Sequence, residues 1–150
     1  MNEIDAILAA IENQTRREIL KRLAEGRQYA LQLAKELRVS QQAILKHLEV
    51  LERYNIIRRA GMEKSDMGPP RKLYELSKGF SIVIDFAPGL FEIRRYPIDL
   101  RDEDDDKKET IEEDFGEALR KIENEIRELE RRRLRLIKMK ERILRELMEG

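Results

Sequence analysis

The sequence predicts a mainly α protein, α+β overall, and three observations carry that reading. Apolar residues recur at helical spacing through the first 55 positions, two pairs of short alternating stretches lie between residues 56 and 96, and the last third is a proline-free helical repeat. A chain of 150 residues accommodates one well-packed domain and an extension. Charged residues make up 41% and aromatics 5%, a balance that suits long solvated helices better than a large globular core.

Ile4, Ile7, Leu8 and Ile11 form the first helical stripe, with Ala6, Ala9 and Ala10 permitting close approach of a neighbour. Thr15 and Glu18 have the spacing of a capping box, which opens a helix through Ile19, Leu20 and Leu23 that stops at Gly26. Arg16 and Arg17 fall in its first turn, where helix amides disfavour cations; phosphate contact and surface salt bridging both fit them.

From Gln28 to Ala60 the chain reads as helix, turn, helix and strand. Leu31, Leu33, Ala34 and Leu37 give the first helix its stripe, and Arg38-Val39-Ser40 breaks it. Ser40 is placed to cap the next helix, with Val39 and Ile44 as a hydrophobic staple. Ile44, Leu48 and Leu51 then face inward, which turns Gln41, Gln42, Leu45, Lys46 and Glu49 outward. Glutamine can bond adenine bidentately and an aliphatic group can meet a thymine methyl, so this face suits base edges in a major groove. A solvated surface helix would accept the same residues. His47, the single histidine, lies beside the inward stripe; it is expected half-buried and hydrogen-bonded, with phosphate contact as its second reading. Tyr54 is expected to pack. Residues 56–60 read as a strand, 61–70 as a polar loop and 71–76 as the returning strand, carrying Leu73 and Tyr74. A helix-turn-helix followed by a basic hairpin is a winged helix.

At this point the residues resemble the ArsR-type winged helix-turn-helix transcriptional regulators, in particular archaeal members. Asn13-Gln14-Thr15-Arg16-Arg17-Glu18-Ile19-Leu20 is similar to their second-helix opening, the run Ser40 to Leu51 to their recognition helix, and Gly68-Pro69-Pro70-Arg71-Lys72-Leu73-Tyr74 to their wing. The resemblance spans about the first half of the chain. Leu45 stands where a serine is common, Asn55 replaces the usual glycine after the recognition helix, and the metal-sensing cysteines are absent, so the metal switch does not carry over. What the resemblance implies is double-stranded DNA as partner, a homodimer built partly on the first helix, and repression by blocking a promoter. The DNA-contacting set is then Arg16, Arg17, Ser40, Gln41, Gln42, Leu45, Lys46 and His47, with Lys64, Arg71 and Lys72 from the wing.

The net charge is zero, so no broad basic coat announces nucleic acid. Locally, between Arg38 and Lys78, bases outnumber acids, and the binding expected is local and salt-sensitive. With no cysteine there is no disulfide framework or thiolate metal site. No secretory signal is read at the amino terminus and no apolar run approaches the roughly 20 residues that span a bilayer, so a cytoplasmic protein without a membrane partner is expected. Abundant Glu, Lys and Arg without Cys leans towards a thermophilic source.

A second hairpin follows the wing. Ile82, Ile84 and Phe86 alternate with Val83 and Asp85, Ala87-Pro88-Gly89 signals a turn, and residues 90–96 alternate again. Bracing of the long helix is its expected role, since nothing polar is seen to converge there; an apolar ligand pocket is the alternative. Residues 97–106 read as a linker ending in the acidic run 102–106, which lacks the spaced ligands and turn glycine of a calcium loop.

Thr110 and Glu113 offer a capping box for a long helix. Phe115, Leu119, Ile122, Ile126, Leu129, Leu136, Ile143 and Leu147 keep a three-four spacing, with Arg133 and Lys140 at two seam positions, and Leu134, Ile137, Leu144 and Met148 widen the stripe later. Such a coiled-coil-like seam has to pair to be buried. Together with Ile4, Ile7, Leu8 and Ile11 it is the expected dimerisation surface. Acids open the helix and bases close it, which favours an antiparallel or crossed pair; the basic block is either a solvated face or a contact to DNA flanks.

The expected organisation is a winged helix-turn-helix DNA-binding domain over 1–80, a hairpin and acidic linker over 81–106, and a long dimerisation helix over 107–150. The expected function is a sequence-specific regulator, a repressor, that binds a palindromic operator as a homodimer through the recognition helix 40–54 and the wing 58–76. The alternative is a protein-interaction scaffold without specific DNA binding. No enzyme, metal or cofactor is expected: one histidine, no Gly-rich phosphate loop and no facing carboxylate pair leave no catalytic constellation. Any small-molecule effector is not legible.

Overall fold

Ten elements follow one another in the computed structural model, which describes residues 2–65, 68–101 and 114–150. They are α1 (Glu3–Ile11), α2 (Gln14–Glu25), β1 (Gln28–Tyr29), α3 (Ala30–Leu37), α4 (Gln41–Arg53), β2 (Ile57–Glu63), β3 (Arg71–Leu76), β4 (Gly79–Ala87), β5 (Leu90–Ile98) and α5 (Phe115–Glu149). The acidic run 102–106 and the capping box expected at Thr110 and Glu113 lie outside the described residues. The fold is a winged helix-turn-helix with a long carboxy-terminal helix. It divides into two compact units, residues 1–81 with 95–100, and residues 82–94 with 101–150.

In the first unit the helical stripes meet in one core. Ala10, Ile19, Leu23, Leu33, Ile44, Leu48 and Leu51 are buried together with Ile56, Ile57 and Tyr74, and Leu37, Val39 and Tyr54 pack at its margin. The inward stripe of α4 is thus the expected one. α1 is capped by Asn2, whose side chain accepts from the Asp5 amide at 2.8 Å. For α2 the capping box at Thr15 is corrected: Asn13 is the cap and accepts from the Arg16 amide at 3.1 Å, which leaves Thr15 inside the first turn. Asparagine caps at least as well as threonine, and the earlier of the two suitable residues is the one used.

The wing sheet has strand order β1-β3-β2, all antiparallel. The two-residue strand β1 escaped the sequence reading because so short a run has no periodicity. β2 outruns its expected end at Ala60: a bulge between Arg59 and Met62 absorbs the extra residue, and pairing resumes at Met62 with Lys72 and Glu63 with Arg71.

The second hairpin is also longer than expected. Pro97, assigned above to a linker, lies in β5; in a two-stranded sheet each strand has a free edge, where a missing amide costs no ladder bond. At its base, a Cβ on Gly79 would come within 2.8 Å of the Ile98 carbonyl oxygen, so only glycine allows this approach. At the tip, Gly89 has φ +77°, the backbone required after Pro88 in a type II turn.

Candidate nucleic-acid interface

The turn between α3 and α4 is set by three residues. Arg38 ends α3 in the left-handed conformation at φ 56°, Val39 packs on the core, and the Ser40 hydroxyl accepts from the Ala43 amide at 3.1 Å. Asn55 closes α4 at φ 58°, the left-handed cap that asparagine tolerates in place of glycine. Between those two fixed ends Gln41, Gln42, Leu45, Lys46 and Glu49 are all exposed, together with Ser40. Leu31, a member of the α3 stripe, is 38% exposed beside Leu45 at 43%, so an aliphatic pair joins the amides on this side.

β1 and the wing complete the surface. Arg71 stacks its guanidinium over Tyr29 at 4.5 Å, a cation–π contact that fixes the root of the wing. A cleft of about 370 Å³ opens there, lined among others by Tyr29, Leu31, Gln41, Leu45, Arg71 and Tyr74. Burial raises the pKa of the Tyr74 hydroxyl above its usual value, with Glu52 adding to the effect. Not every wing cation is free for a partner. Arg58 and Arg27 both bond Glu75, at 2.9 and 3.0 Å, and hold its carboxyl below the usual range, while Arg59 pairs with Glu52 at 3.6 Å. Lys46, Lys64 and Lys72 have no ion-pair partner among the described residues.

Arg16 and Arg17 serve the fold. Arg16, with its side chain 12% exposed, donates to the Ala10 and Ala9 carbonyl oxygens at 2.7 and 3.0 Å, and Arg17 donates to Ile11 and Glu12. The carboxy-terminal carbonyls of α1 are thereby capped by cations from α2, the favourable end of the helix dipole. Arg16 also lies 3.4 Å from Nδ1 of His47. A guanidinium only donates, so Nδ1 accepts and the ring proton sits on Nε2. Burial, and then the Arg16 charge, push the His47 pKa below its ordinary value, so the ring is neutral at pH 7. That favours the half-buried, hydrogen-bonded reading of His47; a neutral ring is a weak phosphate ligand.

The second unit holds a polar cluster that the sequence reading missed. Of the two alternating sets in β4, Asp85 is buried and Phe86 exposed. Asp85 accepts from Arg133 of α5 and lies 3.5 Å from Arg94 of β5, and Glu92 accepts from Lys140 of α5 at 2.9 Å. Polar groups do converge between the hairpin and the long helix. The signal available in the sequence was Arg133 and Lys140 themselves, two cations seven residues apart on an apolar seam. The rest of that seam, Phe115, Leu119, Ile122, Ile126, Leu129, Leu136, Ile143 and Leu147, is 49 to 76% exposed. On α1, Ile7 is buried and Ile4, Leu8 and Ile11 are half-buried.

Among the described residues no group of His, Asp or Glu is disposed to hold a metal ion, and no helix is long and apolar enough to cross a membrane. Residues 11–60 match a family model described as a helix-turn-helix domain. This segment is a helix-turn-helix domain. The match is consistent with the ArsR-type resemblance of the motifs and covers α2, α3 and α4 as far as the first residues of β2. Among solved structures the chain is similar to HlyU from Vibrio cholerae, 27% identical over 50% of this chain and 75% of that one, with a TM-score of 0.41. It is similar also to an ArsR family transcriptional regulator, 28% identical over 51% of this chain and 78% of that one, TM-score 0.42. A third is a transcriptional regulator of the MarR family from Enterococcus faecalis, 22% identical over 49% and 64% of the two chains, TM-score 0.41. No curated protein matches the chain.

Proposed function

We propose that this chain is a sequence-specific, DNA-binding transcriptional regulator that acts as a homodimer on a palindromic site and represses by occupying it. One observation carries the reading: the exposed face of α4 offers two amides, an aliphatic side chain and a lysine between fixed helix ends, next to a wing whose Lys64 and Lys72 have no ion-pair partner among the described residues. Gln41, Gln42 and Leu45 read base edges in the major groove; Ser40, Lys46, Lys64, Arg71 and Lys72 hold phosphates and set the register. In this reading residues 1–80 bind DNA, 81–106 connect, and 107–150 dimerise. A twofold pair requires half-sites about 34 Å apart or a multiple of that.

Selection of bound sequences from a random duplex library at about 0.15 M salt tests the proposal, followed by affinity of the selected site for wild type and for Gln42→Ala/Lys46→Ala. An enriched palindrome whose recognition the double variant loses, with its helix content intact, is the expected result. Equal binding by both proteins removes α4 as the reading element. No binding at any salt favours the scaffold reading, in which α4 and the wing meet a protein.

A further inference from the structure

The seam of α5 from Phe115 to Leu147 alternates steps of four and three residues and is apolar at every position but two, Arg133 and Lys140. All its apolar members are exposed, and among the described residues of the second unit none covers them. The face of α5 turned to its own hairpin adjoins the seam, and the two share Arg133 and Lys140. It carries the half-buried Ile137, Glu141 and Leu144, and a side chain at Gly89 of the turn would lie 3.3 Å from Sδ of Met148.

Three observations say what covers the seam. Its spacing reads the same from either end about residue 131, so an antiparallel copy sets Phe115 opposite Leu147, Leu119 opposite Ile143 and Ile126 opposite Leu136. Charge is complementary only in that orientation. Residues 115–130 hold five acids and three bases, and residues 131–149 hold eight bases and three acids, so a parallel copy would stack the basic halves. The two seam cations are also already occupied: Arg133 donates to Asp85 and Lys140 to Glu92 of the same chain.

We propose that the exposed seam of α5 docks a second copy lying antiparallel, and that Asp85 and Glu92 prepare the seam by drawing Arg133 and Lys140 towards the hairpin. This deepens the homodimer reading above and rests on it. In the pair, Ile122 faces Lys140 and Leu129 faces Arg133; each cation keeps its aliphatic stem in the seam while its charged end is met by a carboxylate beside it. The carboxylates thereby convert an interrupted seam into a continuous one.

The full chain, which has no native cysteine, tests this with Leu119→Cys and Ile143→Cys made separately and treated with a short bis-maleimide. The expected result is a covalent dimer in the equilibrated mixture of the two variants and none from either alone, because in an antiparallel pair the two copies of Leu119 are about 36 Å apart. Cross-linking of Leu119→Cys with itself overturns the orientation. A dimer in sedimentation that the mixture cannot cross-link overturns the seam but leaves the homodimer, and a monomer overturns both. For the carboxylates, Asp85→Asn/Glu92→Gln should raise the dimer dissociation constant about tenfold, and adding Arg133→Leu/Lys140→Leu should restore it. An unchanged dissociation constant in the carboxylate variant removes their role.

Discussion

Arg133, midway along α5, donates to the carboxylate of Asp85, which is 7% exposed near the end of β4. The hydrogen bond from Arg133 is the main reason the Asp85 carboxyl titrates below its ordinary 3.8; the charges of Arg133 and Arg94 add to it, against the cost of burial. Glu92 is held below its ordinary 4.5 by Lys140 in the same way. A depressed folded-state pKa contributes stability that is complete above the unfolded value and is lost as pH falls through the folded one. The hairpin-to-helix attachment should therefore be constant from pH 7 to about 5 and weaken below about 4. Hydrogen exchange of the α5 amides around Arg133 against pH measures this. In Asp85→Asn/Glu92→Gln the acid-dependent loss of protection should be absent, and the protection at pH 7 already lower than in wild type.

His47 has a lowered pKa from a different cause, burial first and Arg16 second. The sign again places the stabilising effect above the unfolded value of 6.5 and its loss at lower pH. Acidification from pH 7 to about 5.5 should lower the thermal midpoint of wild type, because a protonated ring faces a guanidinium that has no other position while it caps α1. His47→Gln, which keeps an acceptor for Arg16, should flatten that dependence. Equal slopes in the two proteins would show that the histidine is not the group responsible.

The start of α2 gives a direct contest between two caps. Asn13 makes the side-chain bond to the Arg16 amide, so Asn13→Ala should cost about 1 kcal/mol in denaturant unfolding. Thr15→Ala should cost little, since alanine is the better helix former inside the first turn. Loss of stability in Thr15→Ala instead would restore the capping box that its spacing with Glu18 suggests.

That contest illustrates what the sequence could and could not settle. Stripes with a buried partner were legible: Ile44, Leu48 and Leu51 face the core because three apolar residues on one helical face admit one orientation. The left-handed cap at Asn55 followed from residue chemistry, and the exposure of Gln41, Gln42 and Lys46 followed from the stripe. The polar cluster under the hairpin was not legible because alternation fixes which residues share a face and not which face is covered. Asp85 is covered since two arginines satisfy it, and those partners come from residues 94 and 133, a separation no local pattern reveals. Arg16 likewise looked available for phosphate until the carbonyls at the end of α1 were placed beside it.

The wing cations separate in the same manner, and salt dependence of DNA binding can tell them apart. Each lysine that meets a phosphate contributes about one to the slope of log affinity against log salt. Lys72→Ala should lower that slope by about one and weaken binding to selected and unrelated duplexes alike. Arg58→Ala should leave the slope unchanged, because Arg58 is held by Glu75 on the neighbouring strand. Gln42→Ala should leave the slope unchanged as well, yet reduce discrimination at one base pair by about 1–3 kcal/mol, since an amide carries no counterion but reads an edge. Affinities of the three variants at four salt concentrations, on the selected site and on a scrambled one, check all three expectations. An unchanged slope in Lys72→Ala would take Lys72 off the phosphate backbone and leave the wing contact to Lys64 and Arg71.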